Sequence, residues 1–195
     1  GPWAPHFRMF TYVADELPAL IADNFPARPG ALGIMGHSMG GHGALVVGLR
    51  RPERFASMSA LAPIAAPSQV PWGIKALSAY LGPDRTVWRP YDATALLADG
   101  CRHPGTIRVD QGEADKFLDD QLRPHLLTEA CARAGQPLER EIAADGGRDL
   151  AQQVVAQRVG AIARGQIARI DGIAERLADL AAVGGNKAMH QDVAR

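Results

Sequence analysis

The chain has 195 residues, 47% of them hydrophobic, and its 21 basic and 21 acidic side chains leave it without formal net charge. Balanced charge provides no basic surface for nucleic acid, and no apolar run approaches the roughly 18 residues of a membrane-spanning helix. We therefore predict a globular protein with one hydrophobic core, no nucleic-acid partner, no membrane segment and no secretory leader.

The first predicted element is an amphipathic helix over residues 10–25, closed by Pro26. Apolar side chains recur through it at nearly helical spacing, at Tyr12, Val13, Leu17, Leu20, Ile21 and Phe25. A Pro-Gly turn at 29–30 follows, and an apolar strand is predicted over 31–35. A helix, a turn and a strand thus precede the most informative motif of the chain.

That motif is Gly-His-Ser-Met-Gly at 36–40, which places a serine between two glycines where the strand gives way to a helix predicted over 39–50. It is a G-x-S-x-G pattern, typical of a nucleophile elbow that exposes a serine hydroxyl at the top of a sheet. We expect a side chain at either Gly36 or Gly40 to collide with the neighbouring strand or helix. The helix N-terminus would stabilise a negative oxygen nearby, with the Met39 N–H as the first oxyanion donor. Ser38 is therefore a candidate nucleophile, although the motif alone equally fits a structural turn.

Further strands and helices follow the elbow. A core strand is predicted over 55–61, a proline-rich excursion over 63–91, a strand over 106–110 and a helix over 122–134. The alternation predicts an α/β fold with a mostly parallel sheet and helices on both faces. Asp115 lies just beyond the carboxyl end of the last of these strands, where catalytic groups gather in open α/β sheets. The order Ser38 then Asp115 fits an α/β-hydrolase, in which the histidine comes last.

The two cysteines, Cys101 and Cys131, are unclustered and lack the spacing of metal ligands. In a chain of this size we expect reduced, buried thiols rather than a disulfide. No metal site is predicted.

Three segments carry a family resemblance; the first is shared by many esterases, and the other two are specific. They are the elbow with its continuation to Leu45, Ala-Pro-Ile-Ala-Ala-Pro-Ser-Gln-Val-Pro-Trp-Gly at 62–73, and Asp-Gln-Gly-Glu-Ala-Asp-Lys-Phe-Leu at 110–118. Together they make the chain similar to S-formylglutathione hydrolases, the esterase D branch of the α/β-hydrolases. The resemblance implies a partial α/β-hydrolase fold, with Ser38 as nucleophile and Asp115, rather than Asp110, as the triad acid.

The resemblance also implies an activity. Members of the family hydrolyse the thioester S-formylglutathione to glutathione and formate in cytoplasmic formaldehyde detoxification, as homodimers, without a metal or organic cofactor. Met39 would contribute to the oxyanion hole, and Trp72 would line a tight pocket for the small acyl group. Packing alone explains Trp72 equally well.

The chain departs from the family pattern in two places. It begins at what resembles the middle of the family domain, so we expect the early strands and the loop with the second oxyanion N–H to be absent. The family's Tyr-Asp-His-Ser segment, which supplies the catalytic base, is replaced by residues 141–148, which contain no histidine. Only His125 and His190 follow Asp115, and neither has matching context. The base is therefore not identified; His125 is a weak candidate that fits a half-exposed helix residue better.

Residues 142–195 resemble no part of the family. Small and apolar side chains recur there at alternating spacings of four and three, at Ala163, Ile167, Ile170, Ala174, Leu177 and Ala181. We accordingly predict an incomplete α/β-hydrolase core over 1–141 and a divergent tail, helical or disordered, over 142–195. Three functional interpretations stay open: an S-formylglutathione hydrolase with impaired activity, a general short-chain carboxylesterase or acyltransferase, and a catalytically dead remnant that lacks its base.

Overall fold

The structure is a computed structural model that describes residues 5–27, 30 and 32–143. The strands in this part of the chain are β1 (Leu32–His37), β2 (Phe55–Leu61), β3 (Ile107–Gly112) and β4 (Leu138–Ala143). The α-helices are α1 (Met9–Thr11), α2 (Leu17–Asn24), α3 (Met39–Arg50), α4 (Pro71–Leu81), α5 (Ala93–Ala98) and α6 (Pro124–Ala134). The predicted tail lies outside the described residues, except for the last two residues of β4, and so do His190 and the predicted helical stripe.

The four strands form one parallel sheet in the order β1-β2-β3-β4. Ile34, Met58, Ile107 and Leu138 are register partners across it, so their side chains point to the same face. Parallel crossovers are right-handed, and a sheet whose strands follow one another in chain order therefore carries its connecting helices on one face. The predicted α/β architecture with a parallel sheet is confirmed.

Helices cover the face to which Ile34 and Met58 point. The opposite face carries Met35, which is 37% exposed, the exposed Ser57, and an exposed ion pair of 3.1 Å between Arg108 Nε and Glu139 Oε2. Within residues 5–27, 30 and 32–143, the prediction of helices on both faces is thus met on one face only.

Two hydrophobic clusters fill the described part of the molecule. The larger packs α3, α5 and α6 on the sheet; its members include Leu45, Val47, Leu49, Met58, Leu97, Ile107, Val109 and Leu127. The second, which we call the end cluster, lies beyond the carboxyl end of β2 and consists of Ala62, Ile64, Val70, Leu122 and the half-buried Trp72. The two clusters together hold the loops at the carboxyl end of the sheet on a packed support.

The predicted helix over 10–25 is present as α1 and α2, joined by a π-helical turn at Tyr12–Glu16. Val13 packs against the larger cluster and Ala14 is fully buried. Three of the predicted apolar side chains are instead 42%, 54% and 51% exposed: Tyr12, Leu20 and Phe25. The periodicity identified the helix correctly, but its apolar face is only partly covered within the described part of the chain.

Both cysteines are free, and burial raises the pKa of the Cys131 thiol to about 11. Among the described residues, no helix has the length and apolarity needed to cross a bilayer.

Asp92 joins the proline-rich excursion to the helical layer. Its side chain is fully buried at the N-terminus of α5 and accepts hydrogen bonds from the backbone N–H groups of Thr94 and Ala95. It also accepts bonds from the Thr94 hydroxyl, at 2.6 Å, and from the N–H and hydroxyl of Ser68, at 3.0 and 2.5 Å. One carboxylate thereby satisfies donors from two segments of the chain.

We expect Asp92→Ala to lower the free energy of unfolding by about 2–4 kcal/mol, because it removes a helix cap and leaves partly buried donors without their acceptor. Urea denaturation measures the change. Asp84→Ala is the matched control, since Asp84 also caps a helical turn, through the Thr86 N–H and hydroxyl, but is exposed. Equal losses in the two variants would contradict the role of burial.

Candidate active site

Ser38 lies at the junction of β1 and α3 in a backbone conformation that serine rarely adopts. Its φ is 55° and its ψ is −114°, and among the described residues only Ala62 and Arg123 share a positive φ without being glycine. Such a conformation costs on the order of 1–3 kcal/mol and persists only where the surroundings impose it. Here the Ser38 N–H donates to the Leu61 carbonyl at 2.8 Å, and the Ser38 carbonyl accepts from the His42 N–H at 3.0 Å. This is the geometry of a nucleophile elbow.

The Ser38 hydroxyl is not used to stabilise the helix that it precedes. Serine at the N-cap of a helix ordinarily accepts a hydrogen bond from a backbone N–H of the first turn. Ser38 occupies the N-cap of α3 but its side chain forms no such bond. A structural turn would employ this hydroxyl as a cap, so the geometry favours a reactive role.

The prediction for the two flanking glycines is correct at one position and wrong at the other. A Cβ at Gly36 would lie 2.2 Å from the Gly40 carbonyl oxygen, so only glycine fits there. A Cβ at Gly40 would meet no atom within 4 Å among the described residues, because this position of α3 faces open space. Beside Gly36, the crowded glycine of the elbow is instead Gly41, whose Cβ would lie 3.0 Å from Pro63 Cβ.

Met39 is the first residue of α3, and its side chain is 62% exposed. The N–H groups of a first helical turn have no acceptor within the helix, and the helix dipole adds partial positive charge there. The Met39 N–H is thus suitably placed by helix geometry to stabilise an oxyanion formed beside Ser38.

Asp115 lies three residues beyond the end of β3 and is half-buried. Its Oδ1 accepts a hydrogen bond of 2.9 Å from the Phe117 N–H, which holds the turn that carries it. The alternative acid, Asp110, lies within β3 and is 2% exposed, and its carbonyl accepts the Ala62 N–H. Asp115 therefore occupies the strand-end position expected of a triad acid, and Asp110 belongs to the sheet.

The described hydrogen bonds join no histidine ring to Ser38 or Asp115. His42 Nε2 lies 2.7 Å from the Tyr91 carbonyl, and His103 Nε2 lies 2.8 Å from the Phe55 carbonyl, at the opposite end of the sheet. His125 is exposed near the start of α6. Residues 5–27, 30 and 32–143 thus contain the elbow and the candidate acid without an identified base.

His42 is held in a partly apolar environment on α3. Burial lowers its pKa from the ordinary value of 6.5, and this effect outweighs the Tyr91 carbonyl and the Asp92 carboxylate, which favour the protonated ring. The neutral ring donates its Nε2 proton to Tyr91. His42 is therefore a packing and hydrogen-bonding residue of the elbow helix.

Trp72 lies in the first turn of α4 and packs on the end cluster. The same cluster contains Ile64, whose N–H lies 3.4 Å from the Ser38 carbonyl oxygen. The backbone N–H of Trp72 donates a hydrogen bond to Gln121 Oε1 at 2.9 Å. Sequence reasoning missed Gln121, because nothing in its local pattern identifies a partner 49 residues away.

A cavity of about 620 Å³ opens between α5 and α6, and none of the predicted site residues lines it. Three arginines do, but each already has partners. Arg89 pairs with Asp99, Arg133 pairs with Glu129, and Arg102 donates to backbone carbonyls. The described residues also contain no cluster of three or more histidine, cysteine or acidic side chains that could hold a metal ion.

Comparison with known proteins relates the elbow and its surroundings to esterases. Residues 1–151 match the model of a family described as "Putative esterase". The chain is 52% identical over 137 residues to an S-formylglutathione hydrolase of Paracoccus denitrificans. The aligned region covers 70% of this chain and 48% of that protein. The chain thus spans about half the length of this curated relative.

Solved structures agree with this relation. An S-formylglutathione hydrolase from Agrobacterium tumefaciens superposes with a TM-score of 0.77 and 43% identity, covering 82% of this chain and 58% of that one. An S-formylglutathione hydrolase from Staphylococcus aureus matches with a TM-score of 0.59 and 19% identity, covering 77% of this chain and 61% of that one, which shows the shared fold alone.

The elbow glycines provide a matched pair of substitutions. Gly36→Ala should destabilise the protein by at least about 1–3 kcal/mol, because its Cβ would overlap the Gly40 carbonyl. Gly40→Ala should be neutral or stabilising by up to about 1 kcal/mol, because alanine favours helix and has space there. Thermal or urea unfolding of both variants measures the difference, and the reverse order would refute the elbow geometry.

The depressed pKa of His42 predicts a pH dependence of stability. Below about pH 6.5 the unfolded chain binds a proton at His42 more readily than the folded chain, so stability present above that pH is lost as the pH falls through the folded pKa. His42→Gln keeps a donor for Tyr91 but cannot titrate. We expect the free energy of unfolding to fall less steeply between pH 7 and pH 5 in this variant than in the wild type; parallel curves would contradict the prediction.

Proposed function

The chain belongs to the esterase family described above, and from that premise we propose that it carries the nucleophile and triad acid of a serine hydrolase that cleaves S-formylglutathione. The observation that supports this most directly is Ser38 itself, held at φ 55° in an elbow with its hydroxyl not used as a helix cap. The 52% identity to a protein of that name supports the choice of substrate. Because the chain spans about half of that relative, the activity is a proposal for the chain as it stands.

In the proposed reaction the Ser38 hydroxyl oxygen attacks the formyl carbonyl carbon of the thioester. The Met39 N–H stabilises the resulting oxyanion, and the proton of the hydroxyl passes to a general base oriented by Asp115. The carbon–sulfur bond then breaks and glutathione leaves, taking up the proton. Water attacks the formyl ester on Ser38, which releases formate and restores the hydroxyl.

A thioester suits this site because its leaving group needs little help from an acid. A thiol has an ordinary pKa of about 8.5, so its thiolate departs far more readily than an alkoxide. A site with a well-formed nucleophile and oxyanion donor but a weak base would therefore favour thioesters over alkyl esters. None of the described histidines is assigned as the base; His125 is the candidate to test.

Trp72 would form a wall of the acyl pocket. It packs on the end cluster, which also contains Ile64 beside the Ser38 carbonyl. A rigid aromatic wall close to the elbow would favour the formyl group, the smallest acyl group, over larger ones. We further propose, from the family resemblance, a cytoplasmic homodimer without a nucleic-acid partner.

The test compares the purified chain with Ser38→Ala, following the thioester absorbance of S-formylglutathione and, separately, the hydrolysis of short-chain nitrophenyl esters. We expect turnover of the thioester by the wild type and its loss in the variant, a change that reaches the order of 10⁶-fold in a serine hydrolase with a complete triad. Ser59→Ala, on β2 outside the candidate site, is the matched serine control and should retain activity.

Equal rates for the wild type and Ser38→Ala would instead support a catalytically dead remnant. A strong preference for nitrophenyl esters would support a general carboxylesterase. If the wild type is active, His125→Ala decides whether His125 is the base, because removal of the base lowers turnover by orders of magnitude.

A further inference from the structure

Gln121 connects two parts of the candidate site that are far apart in the chain. Its Oε1 accepts a hydrogen bond of 2.9 Å from the Trp72 N–H, 49 residues away. This N–H belongs to the first turn of α4, where backbone donors lack partners within the helix. Val70, the N-cap residue of α4, offers no side-chain acceptor. Gln121 therefore caps α4 from a different segment.

The segment that holds Gln121 also holds Asp115, and hydrogen bonds between residues close in sequence join the two. Asp115 Oδ1 accepts the Phe117 N–H, and the Phe117 carbonyl in turn accepts the N–H groups of Gln121 and Leu122, both at 3.0 Å. Leu122 is 3% exposed and packs in the end cluster. These bonds form a continuous path from the backbone of Gln121 to the turn that carries Asp115.

The first turn of α4 has little freedom to move on its own. A Cβ at Gly73 would lie 2.1 Å from the Pro67 carbonyl oxygen, so the helix packs directly on the preceding turn. The next residue of that turn, Ser68, is held by the buried Asp92 carboxylate. Gln121 thus bonds to a fixed point of the structure.

We propose that Gln121 is a positioning residue, whose carboxamide oxygen fixes the segment that carries Asp115 against the α4 turn that carries Trp72. The roles of Asp115 as acid and Trp72 as pocket wall rest on the proposed function. The mechanical link between the two segments does not, because it consists of hydrogen bonds and packing that exist without substrate.

The test measures amide hydrogen exchange by NMR in the full chain with Gln121→Met and Gln121→Glu. Methionine keeps the size of the side chain but removes the acceptor, and glutamate restores an acceptor that the helix N-terminus also favours. We expect Gln121→Met to accelerate exchange about tenfold at the Trp72 N–H and at least about threefold at the Phe117 N–H, as the loss of one hydrogen bond predicts. Gln121→Glu should leave both rates within about twofold of the wild type.

Gln69→Met is the matched control, since Gln69 is exposed and lies in the Pro67–Gln69 turn just before α4. It should leave both rates unchanged. If Gln121→Met accelerates exchange at the Trp72 N–H but not at the Phe117 N–H, the proposal is overturned, because Gln121 would then cap α4 without positioning the segment that carries Asp115. Unchanged exchange at Trp72 in Gln121→Met, or failure of Gln121→Glu to restore it, would overturn it as well.

These outcomes are independent of turnover, so failure of the proposed function and failure of this proposal are distinguishable. If the wild type is active, Gln121→Met should also lower kcat/KM about tenfold, with Gln121→Glu close to the wild type. A loss of activity shared equally by both variants would contradict the role of the acceptor.

Discussion

The carboxyl end of the sheet is organised around the backbone hydrogen bonds that hold Ser38 at a positive φ. Its N–H donates to Leu61 and its carbonyl accepts from His42, so β2 on one side and α3 on the other impose the conformation. The first bond exists because β1 and β2 are parallel and in register where His37 pairs with Leu61. The Ser38 conformation costs on the order of 1–3 kcal/mol. It is maintained by β2 and α3, which are themselves stabilised by sheet pairing and by packing in the larger hydrophobic cluster.

The loops of the candidate site share this support. Beyond Leu61, the Ala62 N–H donates to the Asp110 carbonyl, which links the exit of β2 to β3. Ala62 then enters the end cluster together with Leu122, so the turn beside the elbow packs against the segment that follows Asp115. Just after the proline-rich excursion, the buried Asp92 carboxylate accepts hydrogen bonds from the N–H and hydroxyl of Ser68, near the start of that excursion. Hydrogen bonds to buried carboxylates and carbonyls therefore set the relative positions of loops that have few regular contacts of their own.

Local pattern was sufficient for the central elements. The predicted helix over 39–50 and the strand over 55–61 coincide with α3 and β2, because each has a strong apolar pattern and sharp turn signals at its ends. Pattern was insufficient for β4, whose Leu-Glu-Arg-Glu-Ile-Ala sequence is rich in charge. Among residues 5–27, 30 and 32–143, that strand pairs with β3 alone, and at the edge of a sheet charged side chains are tolerated.

The residues of the candidate site likewise fall into those that local sequence pattern identifies and those that it does not. Ser38, Met39 and Asp115 could be singled out from the sequence because their chemistry is tied to local motifs: a glycine-flanked serine, a helix start and an acid after a strand. The second glycine of the elbow that has no room for a side chain, Gly41, could not be identified from the sequence. Sequence favoured Gly40, whereas close packing falls on Gly41 against Pro63, because the turn after β2 happens to cross α3 at that residue.

The sequence by itself singled out a candidate nucleophile and a candidate acid, since a serine elbow and an acid beyond a strand are each encoded within a few neighbouring residues. Only the tertiary structure decided how these groups are held. The bond from Trp72 to Gln121 and the bonds from Ser68 to Asp92 join residues 49 and 24 positions apart. Their partners are chosen by the path of the folded chain, and no local pattern of residues records that path.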